Sequence, residues 1–277
     1  MKREKLPLLT MCGLLALIMG AVTGSRAQTI IPDSALIPSN TYYTDILGSS
    51  SIMGRNDDGS SAQLPLGFTL NFFGSDYSTF WVNNNGNVSF TQSISQYTPT
   101  GPQGASVPLI APFFADVDTR NSGSGLVYLR NDIPNEVIVT WDAVGYFGSH
   151  ADKLDSFQLV LRGPGYSIPV GEGSIGFFYK SMQWETGDAS GGSGGFGGTP
   201  AAVGFGNGAG QGEVLQGSIQ NGISGIVSDH HIWFNQNLTP VPPPPSNPNV
   251  PEPGTLSLLA GMGLSGAGML WRRRRLA

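Results

Sequence analysis

The stretch Asp155-Ser-Phe-Gln-Leu-Val-Leu-Arg162 indicates most clearly how this chain folds. Its large apolar residues, Phe157, Leu159 and Leu161, occupy every second position. Successive side chains of a β-strand point to opposite faces of a sheet, so this spacing is typical of a strand with one buried face. The stretch therefore predicts a half-buried β-strand.

Similar apolar runs recur through the middle of the chain, at residues 68–73, 79–82, 87–90, 126–130, 136–144, 174–179, 201–205 and 231–234. Residues that favour turns separate them. Asn85-Gly86 is a dipeptide that accepts the positive φ angles of a tight hairpin, and Pro134-Asn135 favours the turn before residue 137. No long amphipathic helix is evident in residues 28–250. About ten short strands at this spacing predict an all-β fold, an antiparallel β-sandwich.

The composition agrees with short strands and limits the possible partners. Only 12% of the 277 residues are charged, whereas Gly and Pro number 40 and 20, which suits turns better than helices. Residues 28–250 contain six Lys and Arg against seventeen Asp and Glu, a formal charge of −11. Such a domain repels phosphate backbones, so we do not expect a nucleic-acid partner. The single cysteine, Cys12, precedes this region, which therefore has no disulfide.

The N-terminal 27 residues have the features of a secretory signal peptide. Basic residues within the first five positions precede an apolar run from Leu6 to Val22, and a small-x-small site ends at Ala27. We expect cleavage between Ala27 and Gln28. An uncleaved membrane anchor is the alternative. Residues 28–63 then form a lead-in to the main domain.

The C-terminus combines three elements in a fixed order. After a proline-rich linker at residues 237–250 come Pro251-Glu252-Pro253, an uncharged run at residues 254–271, and Arg272-Arg273-Arg274-Arg275. The uncharged run would span about 27 Å as a helix, close to the roughly 30 Å of a hydrocarbon core. Moving an arginine into the bilayer centre costs roughly 2.5–3.5 kcal/mol. The run is therefore a predicted transmembrane helix, and the four arginines are its cytoplasmic stop-transfer signal.

This order of elements, from Pro251 to the C-terminus, resembles the PEP-CTERM sorting signal of Gram-negative bacteria. The resemblance implies that an exosortase, a membrane enzyme of the transpeptidase type, cleaves the chain near Pro-Glu-Pro. It also implies release of the protein, or its transfer to the cell surface or extracellular polymer. Before processing, the domain would lie in the periplasm and be anchored in the inner membrane. An ordinary tail anchor is the alternative.

A series of aromatic and glycine-containing blocks fills the middle of the chain. The most distinctive is Ile110-Ala-Pro-Phe-Phe-Ala-Asp-Val-Asp-Thr119. The others stand before and after it, namely Leu66-Gly-Phe, Phe72-Phe73-Gly74, Phe80-Trp-Val-Asn-Asn-Asn-Gly-Asn-Val-Ser-Phe90, Val139-Thr-Trp-Asp-Ala-Val-Gly-Tyr146, Gln183-Trp184-Glu-Thr-Gly187 and Ala202-Val-Gly-Phe205. In this order, over residues 64–236, they resemble the NIDO domain, the extracellular module named for nidogen.

The NIDO resemblance implies a role rather than a ligand. NIDO domains occur in matrix and adhesion proteins and are not known as enzymes. The resemblance thus implies cell–matrix adhesion, or organisation of a biofilm or exopolymer, with a matrix protein or an exopolysaccharide as partner. A carbohydrate-binding module is the competing interpretation, with Tyr77 or Tyr146 as a sugar-stacking platform. A secreted hydrolase is disfavoured because the chain has no G-x-S-x-G motif.

One acidic segment is a candidate calcium site. Asp116, Asp118 and Asn121 have the spacing of oxygen ligands at the start of a calcium loop. Arg120, however, stands where a further oxygen ligand belongs. In the alternative interpretation Asp118 caps its own turn and Asp116 pairs with Arg120 or Arg130. A second acidic turn, Asn56-Asp57-Asp58-Gly59, could contribute oxygens to a cation. No other cofactor is expected.

Overall fold

The computed structural model describes residues 29–244, which form two β-sheets around one core. A short helix, α1 (Ile223–Val227), and three single 3₁₀ turns accompany the strands. The strands are β1 (Thr29–Ile31), β2 (Ile37–Pro38), β3 (Leu64–Phe72), β4 (Ser75–Asn83), β5 (Asn87–Ser89), β6 (Pro108–Phe114), β7 (Leu126–Arg130), β8 (Glu136–Tyr146), β9 (His150–Arg162), β10 (Ile175–Ser181), β11 (Ala202–Asn207), β12 (Gly212–Leu215) and β13 (His230–Phe234).

Both predicted targeting segments lie outside the described residues. These are the signal peptide with its cleavage site at Ala27 and Gln28, and the sorting signal with its helix at residues 254–271. Within residues 29–244, no helix has the length and apolar character needed to cross a membrane. The domain boundaries drawn from the sequence remain predictions.

The two sheets confirm the predicted all-β fold. The first has the order β1-β12-β11-β6-β5-β4-β3, and the second has the order β2-β13-β10-β9-β8-β7. Neighbouring strands are antiparallel except for β1, which pairs in parallel with β12. The strands β1 and β2, which belong to the lead-in, join different sheets. The described part of the lead-in is therefore built into the sandwich.

The core lies where the inner faces of the two sheets meet. Phe157 and its two apolar companions in β9 are fully buried there, as their spacing predicts. Aromatic rings span the sheets: Phe113 of β6 lies 5.7 Å from Phe157, and Phe177 of β10 lies 5.3 Å from Phe205 of β11. Burying a ring of this size contributes roughly 1.5–3 kcal/mol. Packed aromatic rings therefore stabilise a domain that has no disulfide.

The outer face of the second sheet is covered as well. Gln158 is buried on that face, and its Nε2 donates to the carbonyl oxygen of Thr44 at 2.9 Å. Val160 belongs to a second apolar cluster with Trp233, against which Tyr43 packs. The segment before β3 thus covers this side of β9. The alternation in β9 predicted the inward face correctly, but the strand is buried on both faces rather than half-buried.

A buried cation closes one end of this outer cluster. The guanidinium of Arg162 pairs with Glu136 at 2.9 Å and with Glu172 at 2.6 Å. Its Cζ also lies 4.4 Å from the ring centre of Tyr166 and 4.3 Å from that of Trp233. Two carboxylates and stacked rings therefore compensate for the hydration that Arg162 loses on burial.

The chain folds back on itself directly after β13. The backbone N–H of Asn235 donates to the carbonyl of Thr239 at 3.0 Å, and that of Val241 donates to Trp233 at 2.8 Å. Phe234 and Pro240 form an antiparallel bridge between these two bonds. We call residues 233–241 the closing hairpin. The first residues of the predicted linker thus pack on the domain.

Candidate functional site

A buried run of asparagines forms the centre of the candidate site. Asn83, Asn84, Asn85 and Asn87 lie in the β4–β5 hairpin, and each is almost fully buried. The predicted turn at Asn85-Gly86 is confirmed, since Gly86 has φ +73°. A Cβ at Gly86 would lie 1.8 Å from the carbonyl oxygen of Phe113. Only glycine therefore allows this turn to pack so closely against β6.

The asparagine side chains hold two acidic segments together. Asn84 Nδ2 donates to the carbonyl of Asp57 and, at 2.6 Å, to that of Val117. Asn85 Nδ2 donates to the Asp58 carboxylate at 2.9 Å, while its Oδ1 accepts from the Val117 N–H at 3.0 Å. A primary amide both donates and accepts hydrogen bonds, which suits it to this bridging position. Two turns that are distant in sequence thereby become neighbours.

Three carboxylates converge at this junction. One oxygen each from Asp57, Asp58 and Asp116 lies within 4.8 Å of the other two. We call these three residues the acidic cluster. Asp116 is 1% exposed, and neither of its oxygens has a hydrogen-bond partner among residues 29–244. Asp57 uses one oxygen in an ion pair with Arg120 at 3.1 Å, and its other oxygen is buried without a partner.

The concentration of negative charge changes the protonation of the cluster. Burial, reinforced by Asp57 and Asp58, raises the pKa of Asp116 to about 7. Burial, reinforced by Asp118 and Asp58, raises the pKa of Asp57 to about 6. The charge of Arg120 opposes both shifts without cancelling them. The site therefore favours any positive charge that can enter it, whether a proton or a cation.

The structure separates the three residues of the predicted calcium loop. Asp118 accepts hydrogen bonds from the Arg120 N–H at 2.9 Å and from the Ser149 N–H at 2.8 Å. The Arg120 guanidinium also contacts it, at 2.6 Å. Burial alone would raise the pKa of Asp118, but the bonds from Arg120 and Ser149 outweigh burial and lower it. Asn121 caps a turn by accepting from Gly123 N–H at 2.8 Å. Asp118 and Asn121 thus use their oxygens in turns.

Asp116 belongs to a different group from the one its spacing suggested. Asp116 does not form the alternative ion pair with Arg120 or Arg130, since Arg120 pairs with Asp118 and Asp57 and Arg130 pairs with Asp132. The residues that Asp116 does meet, Asp57 and Asp58, come from the second acidic turn, which is far away in the sequence. The sequence signalled each acidic turn but not that they meet.

A glycine-rich loop borders the cluster on another side. Residues 187–198 connect β10 to β11 and begin against Asp116, where a Cβ on Gly187 would lie 2.5 Å from Asp116 Oδ2. The N–H of Phe147 donates to the Asp116 carbonyl at 2.9 Å and fixes its backbone. Asp116 is thus enclosed by backbone, and a side chain larger than hydrogen at Gly187 would displace it.

Of the two proposed sugar-stacking aromatics, one is buried and the other is partly buried. Tyr146 is 1% exposed and stacks between His150 and Trp184, so it cannot present its ring to a ligand. Tyr77 stacks on buried Phe90 at 5.0 Å. The prediction that Tyr146 forms a sugar-stacking platform is therefore wrong.

Comparison with known proteins supplies the family. The NIDO-related family matches residues 35–233, and the PEP-CTERM protein-sorting motif matches residues 249–275. Mouse (Mus musculus) alpha-tectorin is 36% identical over 181 residues, which cover 55% of this chain and 8% of that protein. Mouse nidogen-2 is 28% identical over 183 residues, covering 53% of this chain and 12% of that protein. Drosophila melanogaster nidogen is 27% identical, covering 42% and 10%. No solved structure matches the chain significantly.

The aligned region is only a small part of each of these relatives. The relatives share this domain with the chain and extend far beyond it. The sorting motif follows the domain and supports export to the cell surface or extracellular space. The family match covers both sheets from β2 almost to the end of β13. The chain belongs to the NIDO-related family and carries a C-terminal PEP-CTERM sorting motif.

Proposed function

We propose that this chain is an exported, non-enzymatic protein of the cell surface or extracellular matrix. Its role is cell–matrix adhesion or the organisation of a biofilm exopolymer, and an exosortase processes it. One observation carries the proposal: a NIDO-related domain at residues 35–233 is followed, after a short intervening segment, by a sorting motif at residues 249–275. The domain presents a binding surface, and the motif determines where that surface is displayed.

Mass spectrometry of the mature C-terminus tests the sorting step. We expect the secreted or surface form to end near Pro253 and to lack Arg272–Arg275. Glu252→Ala should leave the chain uncleaved in the inner membrane, whereas Asp33→Ala, an exposed acidic control, should be processed normally. A surface form that retains its four arginines would contradict exosortase processing.

Attachment assays test the adhesive role. Cells that lack the gene should lose attachment to matrix or exopolymer, and the wild-type gene should restore it. Glu252→Ala should not restore it, because the domain would remain in the inner membrane. Cells with the wild-type gene should release no more sugar from the polymer than cells that lack the gene. Normal attachment without the gene, or released sugar, would contradict the proposal.

A carbohydrate-binding module remains the second candidate, and two exposed aromatics favour it. Tyr97 and Phe196 are 39% and 44% exposed. They lie on neighbouring loops, which are joined by a 2.8 Å hydrogen bond between Thr98 and Ser190. Loss of exopolysaccharide binding in Tyr97→Ser or Phe196→Ser would support this candidate. Ile46→Ser, an exposed apolar control elsewhere, should bind normally.

A further inference from the structure

The acidic cluster carries more negative charge than its protein contacts balance. Three carboxylates meet within 4.8 Å, and among the described residues only Asp57 of the three forms an ion pair, with Arg120. Arg120 also pairs with Asp118, which divides its charge between two acidic groups. We propose that Asp57, Asp58 and Asp116 bind a calcium ion. This inference does not depend on the adhesive function proposed above.

The spacing of the carboxylates suits calcium. Calcium binds oxygen ligands at about 2.3–2.6 Å, so two ligands of one ion lie at most about 5 Å apart. The oxygens of the cluster meet this limit without rearrangement, since they lie within 4.8 Å of one another. Carboxylates are also the side chains that calcium prefers. Magnesium requires shorter distances and a stricter geometry, which makes it the natural competitor to test.

Unpartnered oxygens give a second and separate indication. Buried polar atoms in folded proteins almost always have a hydrogen-bond partner, and an exception calls for an explanation such as a bound ion. Asp116 is 1% exposed and has two oxygens without a partner. Asp57 and Asn84 each add one more such oxygen, and Asn84 Nδ2 bonds to both of the segments that carry the cluster. A bound cation would provide these buried oxygen atoms with the positive partner that no hydrogen-bond donor supplies.

The surrounding scaffold holds the ligands in place before any ion binds. Asn84 and Asn85 fix the turn of Asp57 and Asp58 against the strand end that carries Asp116. Gly187 packs against the Asp116 carboxylate from the other side. Rigid ligands lose little entropy on binding, so the ion should stabilise the fold rather than reorganise it. Asp57 and Asp58 are only partly buried, which leaves a route from solvent.

Thermal unfolding with and without calcium tests the site. The sample is the chain purified from cells that express the full-length gene, in the form that accumulates, at pH 8 with a chelator or with calcium chloride. At a calcium concentration about a hundred times Kd, we expect Tm to rise by about 5–10 °C. Calorimetric titration should give a Kd in the range of about 10⁻⁴–10⁻³ M that is typical of extracellular calcium sites. The Tm series therefore extends to the highest calcium concentration that keeps the protein soluble.

Asp116→Asn is the decisive variant because it keeps the shape and removes one charge. It should lose the calcium-dependent rise in Tm, yet unfold at a higher temperature than the wild type in chelator, since repulsion in the cluster is relieved. Asp33→Asn, an exposed control, should behave like the wild type in both conditions. If Asp116→Asn fails to fold, Asp58→Asn, which is partly exposed, should show the same loss of response.

Three results would overturn the assignment. The first is a wild-type Tm and calorimetric titration that do not respond to calcium. The second is a calcium response that survives in both Asp116→Asn and Asp58→Asn. The third is an equal response to magnesium, which would assign the site to divalent cations in general.

Discussion

Replacing Arg162 with methionine should destabilise this domain more than any exposed charge substitution. Arg162 is fully buried between Glu136 and Glu172. Methionine fills much of the same space but leaves Glu136, whose side chain is 1% exposed, without its cation. Removing one member of a buried ion pair costs about 3–5 kcal/mol, because the remaining charge has neither water nor a partner. The lost contacts with Tyr166 and Trp233 act in the same direction.

Urea unfolding followed by tryptophan fluorescence measures this loss, because Trp233 lies against the guanidinium. A loss of 3–5 kcal/mol corresponds to a fall in Tm of roughly 6–20 °C for a domain of this size. Lys180→Met is the matched control: Lys180 pairs with Asp45 at 3.7 Å on the surface, and such pairs contribute about 0–1 kcal/mol.

A double variant separates the ion pair from simple loss of packing. Arg162→Met combined with Glu136→Gln removes the stranded charge and should recover part of the stability lost in Arg162→Met alone. The reasoning is refuted if Arg162→Met lies within about 1 kcal/mol of the wild type. It is also refuted if the double variant is no more stable than the single one.

The remaining predictions concern the hairpin, a histidine and the loop beside the cluster. Gly86→Ala should lower the free energy of unfolding in urea by at least about 2 kcal/mol, because it adds backbone strain at positive φ and a clash with Phe113. An unchanged urea midpoint would contradict this packing. Burial lowers the pKa of His231 below its usual 6.5, so the stability it contributes is complete above about pH 6.5 and declines as pH falls below that value. The wild type should therefore lose up to about 1.4 kcal/mol per pH unit more than His231→Gln in urea titrations between pH 7 and pH 5, and parallel curves would refute the assignment. Gly187→Ala should displace Asp116 and weaken calcium binding in calorimetry, and an unchanged Kd would contradict this expectation.

The sequence predicted strands that appear as runs of β-branched, leucine or aromatic residues, several of them beside a clear turn. The hairpin at Asn85-Gly86 and the inward face of β9 followed from local spacing alone. Strand β6 was not predicted, because it is buried on both faces and so shows no alternation. The short strands β1, β2 and β12 depend on pairing partners that local spacing cannot indicate.

The candidate site was predicted only in part, for a related reason. The spacing of Asp116 to Asp118 and Asn121 predicted a calcium site that includes all three. Spacing cannot show that oxygens of Asp118 and Asn121 already accept hydrogen bonds from backbone N–H groups. Asp57 and Asp58 meet Asp116 only because two buried asparagines connect their turns. In a sequence, a run of asparagines such as residues 83–87 is typical of an exposed turn. Only the fold shows that this run is interior.

The closing hairpin is the part of the domain that a force applied to the C-terminal tail would reach first. The chain leaves the sandwich through residues 233–241, whose few backbone hydrogen bonds lie one after another along the hairpin. A pull from the C-terminal side loads these bonds singly, as in a zipper, rather than together. If the C-terminal tail attaches the domain to the cell surface, as proposed, such a pull would open the hairpin and lengthen the attachment before it strained the sheets.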